Sequence, residues 1–178
     1  MPEVNPAFPA IEETIHGWTV RDPYRWLEDR SLPQTDEWIG QQAIALNEYF
    51  ANYKQLRAIR SRVSEYLNRE ARDEPARVDE RYFFRKRTGD QEQGNLYVSG
   101  KEGRSERVLV DPSEFGPFHS VSILRISESG RYLAYGRRAG GSDQQGIQIF
   151  DLVRNQRLPG SIPSGYGRGF VFAPDDRL

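Results

Sequence analysis

The sequence predicts a mainly β fold: the first two blades and the start of a third of a β-propeller, preceded by an N-terminal arm and two α-helices. Three observations carry this. The stretch Glu128 to Asp151 reads as turn, strand, loop, strand. Gly130 reverses the chain, Tyr132 to Tyr135 is apolar and partly aromatic, and Ile147, Ile149 and Phe150 lead to Asp151. The same unit occurs earlier, with Arg81 standing 50 residues before Arg131 and Gly94 standing 52 before Gly146; a third copy opens at Phe172-Ala173-Pro174-Asp175-Asp176-Arg177, where Arg177 lies 46 after Arg131. A β-rich repeat of roughly 40 to 50 residues is how a propeller is written, one blade per repeat. Helical spacing, by contrast, is confined to the first 70 residues. An ordinary meander with recurrent turn chemistry is the alternative reading of the repeat.

The elements follow in order. Residues 1–21 begin Pro-rich and then alternate loosely from Glu12 to Val20, which reads as an extended arm. Asp22-Pro23 opens a helical turn, with Asp as cap and Pro in the first turn. Tyr24, Trp26 and Leu27 are too large for so short a piece to leave in water, so they need a surface to pack on. Ser31 to Gln34 has capping-box spacing, and a helix runs from there to about Ala51 with Ile39, Ala43, Leu46, Phe50 and Tyr53 as its apolar stripe. After a second capping signal at Asn52 to Gln55, a second helix carries Leu56, Ile59, Val63 and Leu67 on one face. The charged run Arg69 to Glu74, ending at Pro75, reads as a linker. Residues 1–70 thus form an arm and helical segment, and 71–178 a partial propeller. Blade one takes Pro75–Val78, Tyr82–Lys86, Leu96–Ser99 and Arg107–Val110. Blade two takes Val121–Ile126, Tyr132–Gly136, Ile147–Asp151 and a short strand near Arg157. Gly160 to Gly169 reads as a loop and Phe170–Phe172 as the start of blade three, so the sequence looks cut in mid-blade.

The totals exclude several classes. Twenty-five basic against 26 acidic residues leave a net charge of −1, which gives no reason to expect nucleic acid or an anionic membrane as partner. No Cys is present, so disulfides, thiolate nucleophiles and cysteine metal sites are excluded. No apolar run of about 18 residues is long enough to span a bilayer. The start, Met1-Pro2-Glu3-Val4-Asn5-Pro6, lacks the regions of a signal peptide, which points to a cytoplasmic protein and leaves open an export signal already removed.

Little in the chain carries chemistry. His16 in the arm and His119 between the blades lack a second ligand at metal spacing and read as structural. Gly103-Arg104-Ser105-Glu106-Arg107 lacks the last glycine of a nucleophile elbow. Gly165-Tyr166-Gly167-Arg168-Gly169 has no Lys and leads into a strand, so it is no phosphate loop. The pairs Glu12-Glu13 and Asp175-Asp176 read as surface or turn residues. No catalytic residue, cofactor site or metal site is assigned.

In His16-Gly17, Val20 and above all Asp22-Pro23-Tyr24-Arg25-Trp26-Leu27-Glu28-Asp29, the chain resembles the amino-terminal part of the prolyl oligopeptidase family of serine peptidases. Arg81-Tyr82-Phe83, Leu96-Tyr97-Val98, Asp111-Pro112, Ser127 to Gly136 and Gly141-Ser142-Asp143 support it, so the resemblance covers nearly the whole chain. It implies an arm joined to a C-terminal α/β-hydrolase domain, with a seven-bladed propeller inserted between them in sequence. It also implies cleavage of short peptides after proline by Ser, Asp and His, all in the C-terminal domain, with the propeller excluding large substrates. Where the family can place an aromatic near substrate at the start of blade three, this chain has the small run Gly165 to Gly169, so no substrate contact is carried over. The resemblance makes Asp22, Pro23, Tyr24, Arg25, Trp26 and Leu27 a domain-docking segment, and makes the hydrolase domain the partner that covers them and the helix stripes.

Two functional readings follow. The first is the docking and gating part of a prolyl oligopeptidase-type enzyme, itself without bond-breaking groups. The second is a stand-alone propeller that binds partners without catalysis. The reading frame beyond Leu178 discriminates them, through a later Gly-x-Ser-x-Gly followed by Asp and His.

Overall fold

The computed structural model describes residues 9–89, 91–101, 105–167 and 169–176. The Pro-rich start to Phe8, residues 103 and 104 of the failed elbow, Arg168 of the glycine run, and Arg177 with Leu178 lie outside the described residues. The chain divides into two compact units, Met1–Ser61 and Arg62–Leu178.

In the first unit the expected extended arm is instead a hairpin. Strands β1 (Ile11–Ile15) and β2 (Trp18–Asp22) pair antiparallel from Ile11↔Asp22 to Ile15↔Trp18. His16 and Gly17 make the two-residue turn, with φ of +50° and +84°. Two successive left-handed residues match the twist of paired strands, and glycine adopts the second without strain. A 3₁₀ turn, Arg25–Glu28, follows, then helix α1, Pro33–Ala51. Pro33 sits in the first turn as its fixed φ favours, but the expected capping box does not form. Leu32 is the cap residue, and Ser31 gives both its N–H and its hydroxyl to Asp29 Oδ1, at 2.9 and 2.6 Å. The shorter Asx link to Asp29 wins Ser31 from the helix. Thr35 is buried and Trp38, Gln42 and Ala45 are half-buried, which puts the inward face of α1 to one side of the stripe Ile39–Ala43–Leu46. That stripe is exposed. Helix α2, Leu56–Leu67, runs from the first unit into the second, and its Ile59, Val63 and Leu67 are exposed too.

The second unit holds two antiparallel sheets. In one, β3 (Ala71–Arg72) and β4 (Ala76–Val78) both pair with β5 (Arg81–Arg87), which pairs with β6 (Asn95–Ser99), and that with β7 (Arg107–Val110). In the other, β8 (His119–Ile126), β9 (Tyr132–Ala139) and β10 (Gln145–Asp151) are neighbours, and β11 (Gln156–Arg157) and β12 (Ile162–Gly165) both pair with β10. Since β3 and β4 run along one edge of β5, and β11 and β12 along one edge of β10, each sheet is a four-stranded meander with one interrupted outer strand. Two expectations are corrected here. The linker Arg69–Glu74 already contains a strand, and so does the loop Gly160–Gly169. Both pieces are short, and Ala, Arg, Pro, Ser and Gly make up most of them, so their pairing comes from the neighbouring strand and not from their own propensity.

The faces of the two sheets that meet form one core of Phe83, Leu96, Leu109, Val110, Val121, Ile126, Leu133, Tyr135, Phe150 and Leu152. On the other face of the first sheet, the cross-strand partners Phe84 and Tyr97 stack 5.8 Å apart. Arg72 and Lys86 cover these rings at 4.3 and 4.7 Å, and Glu106 binds both cations. A cation over an aromatic face, tied to a carboxylate, closes apolar surface that a single sheet leaves open.

The repeat read from the sequence is physical. The Gly130 N–H bonds to the Ser127 carbonyl at 2.8 Å and the Asp176 N–H to that of Ala173 at 2.9 Å, with φ of +66° and +58°. These are the same turn one repeat apart. Successive turns are also tied: Arg81 Nη2 donates to the Gly130 carbonyl at 2.8 Å, and the Ser129 hydroxyl donates to Asp176. Phe170–Phe172 is not a strand, because no described strand lies beside it to complete a ladder. Its rings do pack, Phe172 stacking on Tyr132 at 6.3 Å and meeting Phe170 at 4.9 Å.

Asp151 closes the second sheet and is 0% exposed. Its Oδ1 accepts the N–H groups of Arg154 and Val153 at 2.9 and 3.0 Å, and Arg131 lies 3.6 Å from Oδ2. The backbone donor of Arg154 first, then that of Val153 and the Arg131 charge, hold the carboxyl below its ordinary value of 3.8. A lowered folded-state value stabilises above the unfolded pKa and loses that contribution as pH falls through it. The unfolding midpoint is therefore expected to fall below about pH 4. Asp151→Asn should lower the midpoint at neutral pH and flatten that acid limb; an unchanged limb in denaturant titrations excludes Asp151 as its source.

Candidate domain-docking site

The segment Asp22–Leu27 leaves β2 and turns at once into the 3₁₀ helix. Asp22 is the pivot. Its Oδ1 accepts the Tyr24 N–H at 2.8 Å and its Oδ2 the Arg25 Nε at 3.0 Å. The Tyr24 N–H first, then the guanidinium, hold the Asp22 carboxyl below the usual range. Arg25 is gripped from three sides: Nη2 donates to Glu13 Oε1 at 2.5 Å, Nε to Asp22, and Glu28 Oε1 lies 3.5 Å away. The Glu13 bond above all raises the Arg25 pKa. Arg25 thus fastens the turn to β1 through Glu13 and to β2 through Asp22.

Trp26 is half-buried. Its Nε1 donates to the Pro23 carbonyl at 3.1 Å, and its ring meets that of Trp38 edge-on at 6.4 Å. Thr35 lies beneath, 1% exposed, its Oγ1 donating to the Asp29 carbonyl at 2.9 Å and standing 3.4 Å from that of Trp26. Pro23 and Leu27 are half-buried and Tyr24 is exposed. All six residues read from the sequence therefore stand in one knot with Glu13, Thr35 and Trp38.

What the sequence reading missed is the hairpin face beside this knot. Paired residues of an antiparallel ladder point to the same side. Ile11, Ile15, Trp18 and Val20 therefore share a face with Glu13 and Asp22, while Glu12, Thr14, Thr19 and Arg21 take the other. The four apolar residues are exposed, Trp18 to 76%. The only carboxylates on that face are the two that Arg25 binds. The alternation of 11–15 and 18–22 is the signal that finds it.

No catalytic constellation appears among the described residues. His16 is exposed in the hairpin turn, and His119 Nδ1 lies 3.2 Å from the carbonyls of Gly116 and Pro117. No group of three or more His, Asp or Glu could hold a metal ion, again among the described residues. No helix of the described residues is long and apolar enough to cross a membrane.

Comparison with known proteins places this geometry. The family described as prolyl oligopeptidase, N-terminal beta-propeller domain, matches residues 6–178. A prolyl endopeptidase of Elizabethkingia meningoseptica is 30% identical over 148 residues, which is 82% of this chain and 21% of that protein. The prolyl endopeptidase of Dictyostelium discoideum is 23% identical over 155 residues, 78% of this chain and 20% of that protein. A solved prolyl endopeptidase superposes over 96% of this chain and 26% of its own, with a TM-score of 0.81 and 27% identity. Oligopeptidase B of Leishmania major shares the fold over 88% of this chain and 23% of its own, at a TM-score of 0.69 and 17% identity. The chain thus spans about a fifth of the length of the curated relatives it matches. Two open four-stranded meanders, a repeated turn and a family match across residues 6–178 lead to one conclusion: the chain belongs to the prolyl oligopeptidase family, as its N-terminal β-propeller domain.

Proposed function

We propose that this chain is the docking and first-propeller part of a serine endopeptidase that cleaves short peptides after proline. Its own C-terminal α/β-hydrolase domain is the partner, and the chain's tasks are to hold that domain and restrict access to it. The observation that carries the reading is the uncovered apolar surface of the first unit. The hairpin face Ile11, Ile15, Trp18 and Val20 and the α1 stripe Ile39, Ala43 and Leu46 are exposed in the unit that carries the Arg25 knot. Large apolar side chains left exposed in this way mark an interface. Division into residues 1–70 for docking and 71–178 for gating belongs to the same proposal.

The chemical test is direct. Covalent catalysis needs a nucleophile and a base within hydrogen-bond reach, and the described residues contain none. The 178-residue chain should neither hydrolyse a chromogenic proline peptide nor react with a fluorophosphonate, whereas the same chain extended by a hydrolase domain should do both. Stoichiometric labelling of the 178 residues alone overturns this division of labour. An extended protein that leaves proline peptides intact overturns the peptidase reading.

A further inference from the structure

A cleft of about 280 Å³ opens between the β5–β6 loop and the connection from β7 to β8. Gln93, Asn95, Pro112, Pro117, Phe118 and His119 contribute to its wall. Phe118 sets it apart. Its φ is +58°, and its side chain is 64% exposed. The other described non-glycine residues with positive φ are His16, Asp79, Ser105, Asn155 and Asp176, all polar. A bulky aromatic in the left-handed region is an outlier that persists only where its surroundings impose it. Here they do: the Gly140 N–H binds the Phe118 carbonyl at 3.0 Å, and His119, next along, holds the Gly116 and Pro117 carbonyls through Nδ1. The strain gains no core contact, since it turns an aromatic ring out to water.

The wall fits one ligand chemistry. Among the described residues no Lys or Arg lines the cleft, while Glu92 and Asp111 do, so an anion is disfavoured. Aromatic and proline faces stand beside the carboxamides of Gln93 and of Asn95, which is 5% exposed. Aromatic surface for pyrrolidine rings, with amide donors for the carbonyls between them, is how extended proline-containing peptides are held. We infer that the Phe118 cleft binds an extended, proline-containing peptide segment, as a site for substrate residues remote from the cleaved bond. The choice of a peptide rests on the peptidase reading; the cleft and its strained ring do not.

The experiment uses the full-length protein blocked with a fluorophosphonate and a fluorescein-labelled peptide of alternating Gly and Pro, followed by anisotropy. A Gly-Ala peptide of equal length is the control. The proline peptide should bind and the control should not. Phe118→Gly removes the ring and relieves the positive φ together, so it should melt no lower than the parent yet bind about tenfold more weakly. Gln93→Ala should weaken binding without touching the backbone strain. In the unblocked enzyme, Phe118→Gly should raise KM for a long proline peptide and leave a minimal chromogenic substrate unaffected. Equal binding by Phe118→Gly, equal binding of the control peptide, or a lowered melt of Phe118→Gly each overturns the site. Binding through Phe118 without any cleavage after proline would instead sink the peptidase reading and leave the cleft standing.

Discussion

Trp26→Ala is expected to destabilise the full-length protein by about 3–5 kcal/mol, the range for removing a buried aromatic side chain. Within the first unit the ring is only half-buried. Even so it supplies the edge-on contact to Trp38 and the bond from its Nε1 to the Pro23 carbonyl. Its removal leaves Trp38 without that partner and the Pro23 carbonyl without its donor. A half-buried carbonyl left without its donor and a cavity both add to the lost transfer energy. The remaining exposed part of Trp26 reaches the expected cost only if a partner domain covers it. Chemical denaturation of the full-length variant measures this directly. A loss under about 1 kcal/mol is what a surface ring gives, and an unchanged midpoint removes Trp26 from the docking site.

The part of the fold that was legible in the sequence is the part where both strand faces are buried. Phe83-Phe84, Leu96 to Val98, Leu109-Val110 and Leu133 to Tyr135 are apolar runs bounded by turns, and each lies in or beside the shared core. The repeat was legible because its turns demand particular residues: Gly130 stands where a Cβ would collide with Arg81 and where φ is positive. The hairpin of β1 and β2 was not. Its apolar face carries Glu13 and Asp22, which break the alternation, and only Arg25 from the following turn makes them acceptable there. The alternation of 11–15 and 18–22 was the available signal, and these two acids weakened it. Strands β3 and β12 were hidden for a related reason, being edge pieces placed by what they pair with. Of the segment proposed to dock, the large side chains of Asp22–Leu27 announced that a surface was needed, but not that Thr35 and Trp38 of α1 supply part of it. The Phe118 cleft had no sequence signal at all, since nothing in Pro117-Phe118-His119 marks a left-handed backbone.

The 178-residue chain by itself is expected to associate and to melt without a sharp transition, and the full-length protein to do neither. Two surfaces drive this. In the second unit, Phe170–Phe172 runs without a ladder partner, and Val171 between the two packed rings is exposed. Unpaired backbone of this kind recruits strands from other chains. In the first unit, Trp18 with its hairpin neighbours and Leu46 with its helix neighbours present apolar surface to water. On the proposed reading the two defects have different cures: further blades would supply a ladder partner, and a hydrolase domain would cover the hairpin and helix. Adding only more propeller should therefore sharpen the melt yet leave the chain prone to association, while the full-length protein should be monodisperse. Light scattering and thermal melts on the three lengths separate these outcomes. If the 178 residues alone are monomeric, monodisperse and melt cooperatively, the exposed surfaces need no partner, and the docking role assigned to Asp22–Leu27 and the hairpin face falls with them.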